Sequence, residues 1–145
     1  MALVETEDYA EIRALLDAQL TPNDLRDVVI GADVHLGAAE REVIARIPNA
    51  QVLVDAEGED GLRVKRIVKL LTAASLAPVI VRLTSVSVQA RDASYSRQTF
   101  DPKKRAAELT AQAQAEMAYF DEQEETAYAP ARPVMFTKAV GRRGR

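Results

Sequence analysis

Residues 62–83, LRVKRIVKLLTAASLAPVIVRL, form the most hydrophobic segment of a 145-residue chain. Leu62, Ile67, Leu70, Leu71, Ala74 and Leu76 fall at helical spacing, so they mark one helix. A run this apolar is read as a central core helix around which the other elements pack. Pro78 has no amide hydrogen and its ring crowds the preceding turn, so the helix is expected to kink or end about one turn further on. Arg63, Lys65, Arg66 and Lys69 crowd its start. They can answer acids of the preceding loop or of a neighbouring subunit.

Upstream of this helix, Thr6 can cap a first helix, with Glu7 and Asp8 favourable at its positive end. Ile12, Leu15, Leu16 and Leu20 give that helix one apolar face, and Pro22 closes it. Val28, Val29 and Ile30 make a short apolar run ending at Gly31. Asp33 can cap a second helix carrying Leu36, Ala39, Val43 and Ile47, which Pro48 and Asn49 end. Gly37 and Ala38 leave one face of it with little bulk, where another helix can approach. Residues 49–61, NAQVLVDAEGEDG, read as a loop with two glycines and four acids.

Downstream, the period changes. LTSVSVQA, residues 83–90, alternates Val86 and Val88 with Ser85, Ser87 and Gln89, which is strand-like. RDAS can turn and YSRQTF is a second short strand, so a β-hairpin is expected near residues 85–100. A lone hairpin is marginal in water and needs the helices or another chain. Asp101 then caps a last helix with Pro102 as its first residue. Ala106, Leu109, Ala113, Met117 and Phe120 form a narrow apolar stripe on it, leaving the far side for solvent or a neighbour. The expected fold is mainly α: a small bundle of about four helices with an inserted hairpin, spanning residues 1–128. An extended C-terminal arm occupies residues 129–145.

The chemistry open to such a chain is limited. Hydrophobic residues make up 48% and aromatic residues 5%, with no Trp, so Leu, Ile, Val and Ala must fill the core. With no Cys and one His, His35, disulfides, thiolate sites and multi-histidine zinc sites are excluded. Neither a glycine-rich phosphate loop nor a nucleophile elbow is present. His35, near a helix start beside Asp33, reads as an ordinary histidine. The acids Asp55, Glu57, Glu59 and Asp60 alternate like a calcium loop, but Arg66 stands where the bidentate Glu would be. A solvated acidic loop is the better reading. No catalytic residue, cofactor or metal is expected. No apolar stretch approaches the roughly twenty residues that span a membrane. The start, acidic from Glu5, lacks the pattern of a signal peptide, so a soluble protein acting or assembling in the cytoplasm is expected.

Charge is strongly graded along the chain. Residues 1–60 hold 14 acids and 4 bases, residues 61–130 hold 8 acids and 10 bases, and residues 131–145 hold 5 bases and no acid. Such asymmetry points to partners or subunit arrangement more than to fold. Around ARPVMFTKAVGRRGR, residues 131–145, Pro130 just before it and Pro133 within it favour an extended backbone just before each. Val134, Phe136 and Lys138 would face one way and Met135, Thr137 and Ala139 the other, as in a strand added to a partner's sheet edge. The candidate docking residues are Arg132, Val134, Met135, Phe136, Lys138, Val140, Arg142, Arg143 and Arg145. The alternative is a small nucleic-acid-binding or regulatory protein that touches phosphates through GRRGR. Against it, the acidic body would repel a duplex at long range.

Three stretches carry a family resemblance: DVVIGADVHLGAAEREVIARIP, residues 27–48; VKRIVKLLTAASLAPVIVRLTSVSVQARDASYSRQTFDP, residues 64–102; and RPVMFTKAVGRRGR, residues 132–145. Their order and spacing resemble the head–tail adaptor, or connector, proteins of long-tailed double-stranded DNA bacteriophages and phage-like gene transfer agents. The resemblance implies a small helical, non-enzymatic virion protein. It would form a homo-oligomeric ring, expected to match the twelve-fold portal, in the neck between head and tail. It would bridge the portal protein to the stopper or tail-completion protein, with double-stranded DNA passing through the lumen and no sequence-specific reading. The acidic half, residues 1–60, would then suit the wall of that channel.

Overall fold

A computed structural model describes residues 2–17, 20–88 and 101–128, with side chains placed in 2–17, 20–80 and 101–125. The described chain is mainly helical, as expected. Helix α1 is Tyr9–Leu16, α2 Asp27–Ile30, α3 Ala38–Arg46, α4 Ala50–Asp55, α5 Glu59–Val88 and α6 Pro102–Tyr128. A 3₁₀ turn, Thr6–Asp8, leads into α1, and a π-turn, Asp33–Gly37, leads into α3. Four of these helices are the ones the apolar periodicity marks. The other two are short additions: α2 coils the Val28–Ile30 run, and α4 replaces the first part of the expected acidic loop. Glu57 then turns the chain with a φ of 52°, at the place after a helix where glycine is usual.

Helix α5 is the centre of the molecule. It packs most extensively against α6 and also against α1, α3 and α4. Val64, Ile67, Val68, Leu70, Leu71, Ala73, Leu76, Ala77 and Ile80 are buried along it, so burial runs round most of its circumference. Leu62, expected in the core, is 66% exposed instead. It sits in the first turn, where neighbours cover the other side of the helix.

Two expectations about the end of α5 are corrected. Pro78 does not end the helix, which continues ten residues further to Val88. The Pro78 ring is exposed while Ala77 and Ile80 beside it are buried. The amide it lacks is therefore lost on the solvent side, where water can bond the freed carbonyl. Likewise residues 83–88, expected as the first hairpin strand, are helical. Their alternation of valine with serine or threonine is a weak preference, and the helix already nucleated upstream overrides it. The remainder of the expected hairpin, residues 89–100, and the whole arm, residues 129–145, lie outside the described residues.

Helix α6 follows its sequence closely. Asp101 caps it, its carboxylate accepting from the amides of Lys103 at 3.0 Å and Lys104 at 3.2 Å. Leu109, Ala113, Met117 and Phe120 are buried against α5, with Ala106 partly so. At the other end of the chain, Glu5 rather than Thr6 precedes the first turn, and its amide donates to the Asp8 carboxylate at 3.1 Å. Arg105 of α6 reaches the end of α1, where its guanidinium donates twice to the Leu15 carbonyl, at 2.6 and 3.0 Å. That carbonyl belongs to the last turn of α1, where no intrahelical amide remains for it.

Glycine allows one close approach. Gly61 is buried in the first turn of α5, against the backbone of α4. An added Cβ there would overlap the Leu53 carbonyl oxygen and lie 3.1 Å from Val54 Cα.

Candidate functional site

Every residue of the expected docking arm falls outside the described residues, so the surface that remains is that of the helical body. Much of its acidity is used internally. Lys69, buried in α5, pairs with Asp8 at 3.0 Å and Glu11 at 2.6 Å. Arg63 pairs with Glu59 at 3.3 Å and with Glu116 of α6 at 3.1 Å, and lies 4.2 Å over the Tyr119 ring. Arg66 also approaches Glu116. The basic cluster at the start of α5 thus answers acids of the N-terminal turn, of the neighbouring turn and of α6. Arg13, itself buried, donates to the Leu25 carbonyl at 2.8 Å and pairs with Asp27. These bonds hold the segment after α1 against the bundle.

The Lys69 pair sets a pH dependence. Burial raises the Asp8 pKa, but hydrogen bonds from Lys69 and the Glu5 amide, with the charges of Lys69 and Lys65, bring it below the ordinary 3.8. Burial lowers the Lys69 pKa, but its bonds to Glu11 and Asp8 outweigh this and raise it above 10.5. A depressed carboxyl adds stability above its unfolded pKa and loses it as pH falls through the folded value. A raised ammonium adds stability below its unfolded pKa and loses it as pH rises through the folded value. The contribution is therefore whole between about pH 4 and pH 10. Lys69→Met is expected to cost about 1–2 kcal/mol at pH 7, less than a fully buried pair because Glu11 is exposed. As pH falls below 3.8 and through the folded value of Asp8, the difference between the two proteins should shrink, and urea unfolding at pH 7 and in a series of more acidic buffers measures this. A cost that does not change on acidification would remove the pair as its origin.

His35 is half-buried, with Nδ1 3.0 Å from Ser75 Oγ. Ser75 already donates its hydroxyl proton to the Thr72 carbonyl at 2.8 Å, so it accepts from His35 Nδ1–H. In that tautomer Nδ1 holds a proton and is not set to take one from serine. Burial lowers the His35 pKa. The acids 55–60 do not form a cage. Asp55 accepts from Gln51 at 2.8 Å at the end of α4, while Glu59 and Asp60 occupy the first turn of α5, favourable to its dipole. Among the described residues no group of three or more metal-ligating side chains comes together, and no helix is long and apolar enough to cross a membrane.

The outer surface has two features that its core does not use. Val28, Val34, Val52 and Leu62 are large apolar side chains that are mostly exposed. On α6, Ala107, Ala111 and Ala115 repeat every four residues and are all exposed, on the side away from the buried stripe. The Gly37–Ala39 face expected to receive another helix is divided. Ala39 is in the core, Ala38 is exposed, and Gly37 is crossed by the Asp33–Arg41 ion pair at 2.7 Å. The hydrogen bond and charge of Arg41 lower the Asp33 pKa from its ordinary value.

An open cleft of about 370 Å³ lies where α3 ends and α4 begins, against α6. Ile47, Pro48, Leu53 and Phe120 make its apolar part, and Asp60, Asp121 and Glu124 bring acids to it. Arg46 clamps it, pairing with Asp121 and donating to Gln114 at 2.8 Å. The Arg46 bond pulls the Asp121 pKa down against the opposing effect of burial. Sequence reading missed this cleft because its residues come from three separated segments. The breaker Pro48–Asn49 was its only local trace. No family model, curated protein or solved structure matches the chain.

Proposed function

We propose that this chain is a ring-forming connector in the neck of a long-tailed phage particle or a related gene transfer agent. It would bridge the portal to the stopper or tail-completion protein around a DNA channel. The observation that carries this reading is the two-sided last helix. One face of α6 seals the bundle with Leu109, Ala113, Met117 and Phe120, while the opposite face offers the exposed alanines 107, 111 and 115. A helix built this way can seat a neighbouring subunit closely without giving up its own core, as a heterologous ring contact requires. The exposed valines and Leu62 supply further apolar area for assembly. The acidic N-terminal half lines the lumen and repels DNA. Residues 89–100, the far part of the expected hairpin, reach the next ring, and the arm 129–145 adds a strand to the portal.

Deleting residues 131–145 is expected to leave helical circular dichroism unchanged while abolishing docking to portal-bearing heads, scored by co-sedimentation and negative-stain microscopy. Normal docking by the truncated chain would sink the arm's role, and a chain that stays monomeric on portals would sink the ring. The five bases without an acid in residues 131–145 favour one second reading, a DNA contact through the arginine tip. That reading requires affinity falling steeply with salt and lost on replacing Arg142, Arg143 and Arg145 by alanine.

A further inference from the structure

We propose that the cleft between α3, α4 and α6 is the resting seat of the chain's own basic arm, residues 129–145, docked in cis. Three observations point to this occupant. First, the cleft pairs an apolar part, with Pro48 and Leu53 accessible and the edges of the buried Ile47 and Phe120 behind them, with carboxylates. The arm pairs Val134, Met135 and Phe136 with Arg132 and Lys138. Asp60 and Glu124 form no ion pair among the described residues, so their charge is available to a newcomer.

Second, α6 ends badly for its dipole. Four acids fall within residues 121–125, and its last turn holds no base. Negative charge near a helix C-terminus is unfavourable and cations there are favourable. The first cation after the helix is Arg132. An arm folding back beside the last turns brings its bases to the place where they are missing.

Third, the reach suffices. The described helix ends at Tyr128, roughly 10 Å along its axis from Asp121 in the cleft wall. The eight residues from there to Phe136 span up to about 26–29 Å when extended. The return is short, and its ends are held by one chain, so even a weak contact is populated through a local concentration of order millimolar. The cleft, about 370 Å³, holds a few side chains rather than a whole strand. The seat is therefore a latch that a partner offering a full sheet edge can outcompete.

The inference does not need the connector role, and its test uses the isolated full-length chain. Because the protein has no cysteine, a pair can be introduced cleanly. Asn49→Cys with Phe136→Cys places one thiol at the cleft and one on the arm, and Val28→Cys with Phe136→Cys is the comparison, on α2 away from the cleft. Under mild oxidation in dilute solution, the cleft pair should form an intramolecular disulfide at least about tenfold faster than the comparison pair. Adding Asp60→Lys and Glu124→Lys should slow it several-fold, as should high salt. Pro48→Cys serves as a second cleft position if Asn49→Cys disturbs the start of α4. Equal rates for both pairs, or products running as dimers, would overturn docking in cis. A charge reversal without effect would overturn recognition by charge.

Discussion

Leu109→Ala is expected to lower the unfolding free energy by about 2–5 kcal/mol, a large part of what a domain of this size possesses. Leu109 is fully buried, and it is the one large apolar side chain on the first half of the α6 stripe, between Ala106 and Ala113. Alanine at all three positions leaves a gap against α5 that no neighbour on α6 is long enough to fill. The cost combines lost transfer energy with the cavity left behind. Leu62→Ala makes the contrast, because Leu62 is mostly exposed and should change stability by less than about 0.5 kcal/mol. Urea unfolding of the two variants checks both values. Similar losses at the two positions would mean that the start of α5 is covered and that its assignment to the surface is wrong.

The second large effect is expected from the smallest side chain. Gly61→Ala adds a methyl group that runs into the Leu53 carbonyl, so α4 and α5 must separate. Overpacking of this kind costs about 1–3 kcal/mol, and because the clash is with backbone the upper part of that range applies. Alanine returns up to about 1 kcal/mol of helix propensity, so the net loss should be about 1–2 kcal/mol. At Gly58, three residues earlier, an added Cβ meets nothing within 4 Å. Gly58 precedes the first residue of α5, where alanine caps slightly less well than glycine, so Gly58→Ala should cost no more than a few tenths of a kcal/mol. Thermal unfolding of the pair separates the steric from the conformational cause, and a Gly61→Ala protein as stable as the parent would remove the close approach as the reason for glycine.

The legibility of this chain follows from how local each signal is. Helix α6 could be read almost completely, since Asp101 and Pro102 open it and Leu109, Ala113, Met117 and Phe120 share one narrow face. The position of α5 as the core helix was equally plain from its composition. Its ends were not. Leu62 has the right spacing but no neighbour, which only the packing of α4 and α6 decides. Residues 83–88 have a strand's alternation but lie downstream of an established helix. Helix α4 was hidden by the acids and glycines that follow it, since turn composition outweighed the short apolar run 52–54. The ion pairs could not be read in advance, because Lys69 and Glu11 stand 58 residues apart and Arg46 and Asp121 stand 75 apart. The cleft escaped notice for the same reason. The arm was legible as a charge and proline pattern, and its contacts belong to whatever it meets.

The central place of α5 also sets the order in which the molecule can form. Helices α1, α3 and α4 precede it in the chain, yet each packs against it. During synthesis, roughly sixty residues separate α1 from the middle of α5, and at about 5–20 residues per second they take about 3–12 s to emerge. Through that interval Ile12, Leu16 and Val43 have no helix to close over them. The nascent N-terminal half then exposes its apolar side chains, and its excess of acids over bases disfavours contact between like-charged nascent chains until α5 arrives.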